Sequence, residues 1–229
     1  MPLIEFATQL DFHGIPVPAK KHIPEWYKKM PLYTDGKTVL KTQSIEEQTY
    51  KRCVPFLDSL TTGYIAELWC DLVVTKKDNA QQISFRTEGN PPVKIRDISG
   101  TITLPVPVKH SPVRYIWSVP YCIKTPKNYS SLIVQPLNRN DLPFTTLSAI
   151  VDTDEVMYAG GIPFFLHEDF EGVIEKGTPI FQIIPFRRED WESKENKTLL
   201  EIGETNKRKS FAVVSGWYKK SVWKRKTYN

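Results

Sequence analysis

The stretch QPLNRNDLPFTTLSAIVDTDEVMYAGGIPFFLHEDFEGVIEKGTPIFQIIPFRR, residues 135–188, determines the fold class that the sequence predicts. Its apolar residues occur in short runs that end at Asp152, begin after Gly161, or lie on either side of Gly177. Short runs rich in β-branched and aromatic residues, separated by Gly, Pro and Asp, are typical of strands rather than helices. Gly177 suits a turn, because glycine adopts a positive φ at little cost. We therefore predict a mainly β fold.

Composition agrees with a β-rich protein. The chain has 229 residues, enough for one large domain with additions, and its 18 prolines favour strands and turns over a helical bundle. The formal net charge of +5 is compatible with anionic partners but does not require them. Cys53, Cys70 and Cys122 are far apart and odd in number. This spacing favours buried thiols in a reducing compartment over a disulfide framework or a zinc site.

The segment SAIVDTDE, residues 148–155, is the strongest functional signal, and it has two interpretations. Asp152 and Asp154 lie between predicted strands, where aspartates commonly accept hydrogen bonds from the backbone of a turn. The alternative is a ligand-binding or catalytic role, since a fixed carboxylate can act as a general base on a water molecule.

Three segments of residues 135–188 resemble motifs of the dUTPase family. SAIVDTDE resembles its GVIDSDY-type motif, and PLNRNDL, residues 136–142, lies where the family carries a PRSGLA-type phosphate-binding segment. IEKGTPIFQIIPFRR, residues 174–188, resembles its strand-turn-strand segment. The resemblance implies a dUTPase-like β-barrel over residues 50–188, and homo-oligomers, commonly trimers.

The resemblance also implies roles for individual residues. Asp152 would orient and activate the attacking water. Arg139 would contact phosphate in a ligand site that also includes Asn140 and Asp154, and Gln182 would support this site as part of the scaffold. The implied ligand is a nucleotide or another phosphorylated small molecule. No metal site is predicted, and the only cofactor expected is Mg²⁺, if it arrives with a nucleotide.

The sequence departs from the family at positions that matter for catalysis. Glu155 replaces an aromatic residue that packs on deoxyribose, and Asn140 and Asp141 replace the phosphate-binding Ser and Gly. An aspartate there would repel a triphosphate. The arginine-led C-terminal arm is also missing, and the strand GIPFFL lacks the glutamate of the related deaminases. We therefore expect weak or absent pyrophosphatase activity, and whether the protein is an enzyme stays open.

Two N-terminal segments carry a second resemblance. IPEWYKKMP, residues 23–31, and KRCVPFLDSLTTGY, residues 51–64, resemble a family of tailed-phage and bacterial proteins, and this resemblance implies no activity. Neither a secretory signal nor an apolar run of about 18 residues is present. We expect a cytoplasmic protein without a membrane partner, located in the host cytoplasm or in a virion if a phage encodes it.

The predicted chain has three parts. A Pro-rich N-terminal extension, residues 1–49, packs on the β-rich core, residues 50–188, and a helical, basic extension follows over residues 189–229. Pro24–Lys29 is a short predicted helix in the N-terminal extension, because proline suits the first helical turn. Within the core, Tyr64–Thr75 and Tyr129–Val134 are predicted strands. The segment from Gly89 to Gly100 is expected to be irregular, because it is rich in Pro and Gly.

Basic and aromatic residues alternate near the C-terminus. Residues 207–229 contain no acidic residue, and we predict a second extension helix there, Phe211–Lys226, after a first one interrupted at Gly203. Basic and aromatic side chains together can bind phosphates and stack on bases. The alternative is a solvated basic face whose aromatic residues dock on the body. The candidates for nucleic-acid contact are Lys219, Lys220, Trp223, Lys224 and Arg225.

Three functional hypotheses follow. The protein binds a nucleotide or similar ligand with little or no turnover, or it is a structural or interaction protein such as a phage accessory or virion component, or its C-terminal segment binds nucleic acid. A non-haem iron site is excluded, because His167 in His-x-Asp is the last histidine and the metal triad needs a second one further along.

Overall fold

The computed structural model describes residues 2–8, 14–33, 49–78, 80–97, 104–157, 160–212 and 217–229. Strands predominate over helices, which confirms the predicted mainly β fold. The chain divides into two compact units, here called the β unit and the helical unit. The β unit comprises Met1–Ile23, Leu60–Arg188 and Tyr228–Asn229, and the helical unit comprises Pro24–Ser59 and Glu189–Thr227.

Fourteen strands and three α-helices are described. The strands are β1 (Glu5–Thr8), β2 (Val17–Pro18), β3 (Tyr64–Glu67), β4 (Leu72–Lys77), β5 (Ala80–Phe85), β6 (Val93–Asp97), β7 (Arg114–Trp117), β8 (Tyr121–Lys124), β9 (Tyr129–Val134), β10 (Phe144–Thr146), β11 (Ala149–Val151), β12 (Ile162–Leu166), β13 (Gly172–Ile174) and β14 (Pro179–Arg187). The helices are α1 (Glu25–Lys29), α2 (Val54–Thr61) and α3 (Leu199–Ala212).

The described strands form four antiparallel sheets. The largest has five strands in the order β11-β9-β14-β3-β2, and the second has four in the order β10-β12-β7-β6. The third sheet has three strands in the order β13-β4-β5, of which β4 and β5 form a hairpin. The fourth sheet consists of β1 paired with β8. Among the described strands no sheet closes into a barrel.

Aromatic side chains fill the centre of the β unit. Trp117 and Phe164 are fully buried and stack with ring centroids 3.6 Å apart, and Phe144 packs edge-on against Trp117 at 5.0 Å. The indole N–H of Trp117 donates to Thr146 Oγ1 at 3.0 Å, and this hydroxyl donates to the carbonyl of Ile180 at 2.7 Å. Hydrogen bonds therefore satisfy the buried polar atoms of Trp117 and Thr146, as burial requires.

Two strand predictions needed correction. The segment Tyr64–Thr75 is not one strand, because the chain leaves β3 after Glu67 and enters β4 of another sheet at Leu72. The segment from Gly89 to Gly100 is not wholly irregular, since β6 lies within it and pairs with β7. The strand Tyr129–Val134 is confirmed.

The helical unit contains the predicted N-terminal helix α1, which begins after Pro24. Aromatic rings of the helical unit pack together: Tyr27 of α1 and Phe56 of α2 are stacked, with ring centroids 5.8 Å apart. The C-terminal prediction was partly wrong, because α3 continues through Gly203 to Ala212. Of the predicted helix Phe211–Lys226, the first two residues belong to α3, Tyr218–Val222 form a helical turn, and residues 223–227 are not helical. Residues 213–216 lie outside the described residues.

The boundaries of the two units do not follow those of the predicted parts, since residues 24–59 group with the C-terminal segment. That the N-terminal extension packs on the β-rich core stays a prediction. The polar stretch 34–48 lies outside the described residues. Across the described ranges, no helix is long and apolar enough to cross a membrane.

The cysteines are free thiols, but they are not all buried as expected. Cys53 and Cys122 are exposed, and Cys70 is partly buried. Cys122 faces outward because strand alternation turns its neighbours Tyr121 and Ile123 toward the core.

Candidate functional site

A turn after β11 carries Asp152, Thr153 and Asp154. The backbone N–H groups of Glu155 and Val156 donate to the carbonyl oxygen of Asp152 at 3.0 and 2.8 Å, which closes the turn. The turn interpretation of the Asp-Thr-Asp sequence is therefore confirmed for the backbone. We call this turn, together with Ser130 and Arg188, the aspartate corner.

Thr153 anchors the corner from inside. It is fully buried, and its Oγ1 lies 2.8 Å from Thr125 Oγ1 and 2.9 Å from Ser131 Oγ. Thr125 Oγ1 also contacts the carbonyl oxygen of Tyr129 at 3.0 Å. Because these hydroxyl groups satisfy one another, the buried polar cluster fixes the turn on the start of β9.

Arg188 closes the corner from the end of β14. Its Nη1 and Nη2 donate to Asp154 Oδ1 and Oδ2 at 2.8 and 2.5 Å, a bidentate ion pair. Nη1 also lies 3.0 Å from Ser130 Oγ and 3.3 Å from Asp152 Oδ1. Since Nη1 carries only two hydrogens, its shorter bond to Asp154 is the dominant one.

The electrostatics of the corner follow from this ion pair. The hydrogen bonds from Arg188 are the largest cause that lowers the pKa of Asp154 to about 2, from an ordinary 3.8. The backbone N–H of Asn128 contributes a further bond to Asp154 Oδ2 at 2.8 Å. Asp154 in turn raises the pKa of Arg188. The Asp154 side chain is only 2% exposed, so its carboxylate serves the fold.

Asp152 is the more accessible aspartate, with 59% of its side chain exposed. Its Oδ1 accepts from Ser130 Oγ at 2.6 Å and from Arg188 Nη1 at 3.3 Å. In the described part of the chain these bonds reach only Oδ1, so Oδ2 could accept a proton from water. Asp152 alone among the corner carboxylates keeps the geometry of a general base.

Arg139 and Asn140 lie in the loop after β9. The Arg139 guanidinium makes a bidentate pair with Asp141, with Nε at 2.8 Å from Oδ1 and Nη2 at 2.9 Å from Oδ2. The Arg139 side chain is 14% exposed, and Asn140 is exposed. A phosphate that used Arg139 would have to displace Asp141 from this pair.

Gln182 is a structural residue at the centre of β14. It is 1% exposed, its Oε1 accepts from the Leu137 backbone N–H at 2.9 Å, and its Nε2 donates to the Thr62 carbonyl at 2.5 Å. The side chain thus joins two loops to β14. This placement agrees with the scaffold role that the resemblance implies and leaves neither end of the amide for a ligand.

The structure does not bring the predicted ligand residues of one chain together. Asp152 lies beside Ser130 at the start of β9, whereas Arg139 follows the end of the same strand at Val134. Four residues of extended strand span about 13 Å. Within one chain, Asp152 and Arg139 therefore lie toward opposite ends of β9.

Sequence reasoning missed the partners that define the corner. Ser130 and Arg188 are 22 and 36 residues from Asp152, and β-sheet pairing brings them together. The available signal was Arg188 itself, a cation at the end of the strand predicted to follow the Gly177 turn.

The basic C-terminal segment is partly used within the helical unit. Trp223 Nε1 donates to both Asp58 carboxylate oxygens, at 3.1 and 2.9 Å, and Lys226 Nζ lies 2.6 Å from Asp58 Oδ2. Trp223 is therefore held by Asp58, which supports the docking alternative for this ring. The other nucleic-acid candidates, Lys219, Lys220, Lys224 and Arg225, are exposed.

Metal-ligating side chains do not cluster in the described ranges, where no group of three or more His, Cys, Asp or Glu could hold an ion. His167 instead packs against His110, with ring centroids 4.5 Å apart. Burial is the larger cause and His110 the smaller one of a lowered pKa of His167.

Comparisons of the sequence with protein-family models and with curated proteins gave no match.

Proposed function

We propose that this protein is a non-catalytic interaction module built on a dUTPase-like β scaffold. The observation that carries this proposal is the bidentate pair of Arg188 with Asp154, which also places a cation against Asp152. A general base needs a reactive partner held beside it. Here the nearest groups to Asp152 are Ser130 and Arg188, which serve the turn.

Two further features argue against pyrophosphatase turnover. Asp141 occupies the guanidinium of Arg139, and Arg139 lies at the far end of β9 from Asp152. Glu155 at the end of the turn is exposed and cannot stack on a sugar. The parts of a pyrophosphatase site are thus either occupied or separated within the chain.

The test is a turnover and thermal-shift assay with deoxynucleoside triphosphates and Mg²⁺, using the wild type and Asp152→Asn. We expect no release of pyrophosphate, and no shift in melting temperature that depends on Asp152. Asp169→Asn is a matched control, because the Asp169 side chain is 89% exposed in the same unit.

Turnover lost in Asp152→Asn and kept in Asp169→Asn would contradict the proposal. So would a nucleotide-specific rise in melting temperature with the same pattern, since saturable binding stabilises the folded state by mass action.

A second candidate is nucleic-acid binding through the C-terminal segment. It is favoured by the exposure of Lys219, Lys220, Lys224 and Arg225, which lie close together in sequence. Because Trp223 is held by Asp58, this segment would bind mainly through phosphate contacts rather than base stacking.

Fluorescence anisotropy with a labelled single-stranded oligonucleotide tests this candidate. Replacing the four cations by Gln should lower affinity and reduce the slope of log K against log salt, by about 0.7 for each phosphate that the variant no longer neutralises. The matched control for net charge replaces four exposed cations of the β unit by Gln, namely Lys77, Lys94, Arg96 and Lys124. An equal loss of affinity in this control would reject a specific role for the segment.

A further inference from the structure

An open cleft of about 560 Å³ lies in the β unit, where the chain passes from β3 to β4. Its walls include Trp69 and Asp71 of the connecting corner, Phe85 and Arg86 at the end of β5, and Lys176 of the turn before β14. No residue of the aspartate corner lines it. The volume is in the range of pockets that hold small organic ligands.

Hydrogen bonds hold one rim of the cleft in place. The Leu68 N–H donates to the Thr178 carbonyl at 2.9 Å, and the Gly177 N–H donates to the Leu68 carbonyl at 2.7 Å. Asp71 Oδ1 accepts from the Lys176 backbone N–H at 2.7 Å. The corner after β3 and the turn before β14 are thus joined by three bonds, so this rim is formed without a ligand.

The opposite wall offers apolar surface. Val73 is 40% exposed and lies opposite Ser84, so the two side chains share one face of the hairpin of β4 and β5. Phe85 is 37% exposed at the end of β5, and its partner Leu72 places it on the other face. A planar ring of a ligand could bury the exposed surface of Val73.

The cleft carries an excess of positive charge. Arg86 and Lys176 are both exposed, and neither side chain is in an ion pair with the described residues. Asp71, the single carboxylate of the lining, is engaged by the Lys176 backbone. Burial, as the largest cause, raises the pKa of the Cys70 thiol, so this lining residue adds no negative charge near neutral pH.

We propose that this cleft binds a small organic anion in which a planar ring carries a phosphate or a similar group. The ring lies against Val73, and the anionic group lies between Arg86 and Lys176. A guanidinium donates paired hydrogen bonds to such oxygens, and an ammonium adds a point charge. The site goes beyond the proposed function and does not depend on Asp152.

Isothermal titration with 1-naphthyl phosphate tests the site. We expect saturable binding, with inorganic phosphate and uncharged 1-naphthol each binding far more weakly, since each offers one half of the contact. Arg86→Gln and Lys176→Gln should each weaken binding about tenfold, as for the loss of one charged hydrogen bond. Arg96→Gln is the matched control, because Arg96 is exposed on β6 and does not line the cleft.

Several outcomes would overturn the proposal. These are the absence of binding at millimolar ligand, equal affinity for 1-naphthol, and a weakening in Arg96→Gln that matches the one in Arg86→Gln. The variants replace exposed side chains, so their unfolding midpoints should match the wild type. The result is also independent of the turnover assay, because Asp152→Asn should leave the affinity for 1-naphthyl phosphate unchanged.

Discussion

The aspartate corner and the cleft beside Trp69 are both polar regions of the β unit, but their cations differ in whether they are paired with carboxylates. In the corner, Arg188 neutralises Asp154 and approaches Asp152. In the cleft, Arg86 and Lys176 remain exposed beside apolar surface. The motif resemblance led to the first region, yet its groups are largely used by the fold. The cations that a ligand could use lie in a region without a recognisable motif.

The difference has an energetic meaning. A buried polar group must find a partner in the chain, because leaving it unsatisfied costs about 1–3 kcal/mol. Exposed cations are solvated and contribute little to folding. Substitutions in the corner and its supporting strand should therefore lower stability, whereas substitutions in the cleft should alter binding alone.

The largest effect is expected at Gln182, on the strand that leads to Arg188. Gln182→Leu keeps the apolar volume but leaves the Leu137 N–H and the Thr62 carbonyl without their partner. We expect a loss of roughly 2–4 kcal/mol in the free energy of unfolding, measured by urea denaturation. Gln82→Leu on exposed β5 should change it by less than about 0.5 kcal/mol. Similar values for the two variants would show that the buried amide is not needed.

A smaller effect is expected at Thr153, inside the corner. Thr153→Val preserves the shape of the side chain but removes the hydroxyl that bonds Thr125 and Ser131. The free energy of unfolding should fall by about 1–3 kcal/mol. Thr75→Val is the control, because Thr75 is exposed on β4. If Thr153→Val unfolds at the same urea concentration as the wild type, the hydroxyl cluster does not fix the turn.

Local patterns in the sequence predicted much of the fold. The strand Tyr129–Val134 and helix α1 were predicted because their signals, an apolar β-branched run and a proline before the first turn, lie within a few residues. Strand β6 was missed, because its pairing with β7 outweighs the Pro and Gly residues around it. Tertiary pairing decides such segments, and a single sequence does not show it.

The same limit explains what was missed at the sites. Arg188 meets Asp154 only after β9 and β14 pair, so no local spacing links the two residues. The cleft was missed because Tyr64–Thr75 was predicted as one strand. In that interpretation Trp69 is a strand residue, whereas it lies in the corner where the chain changes sheets.

The smallest stability effect is expected for Arg188→Gln and depends on pH. Its pH dependence distinguishes the contribution of the Arg188–Asp154 ion pair from that of the other bonds in the aspartate corner. The folded-state pKa of Asp154 is about 2, below its ordinary 3.8. Its stabilising contribution is therefore complete above about pH 4 and is lost as the pH falls toward 2. In Arg188→Gln the pKa should return toward its ordinary value, so this acid-dependent loss should shrink.

Urea denaturation at pH 6, 4 and 3 measures this difference for the wild type, Arg188→Gln and the exposed control Arg96→Gln. The Arg188 variant should be less stable than the wild type at pH 6, and the gap should be clearly smaller at pH 3. The control should follow the wild type throughout. A constant gap between Arg188→Gln and the wild type would mean that the Arg188 side chain acts through its bonds to Ser130 and the Tyr129 carbonyl rather than through Asp154.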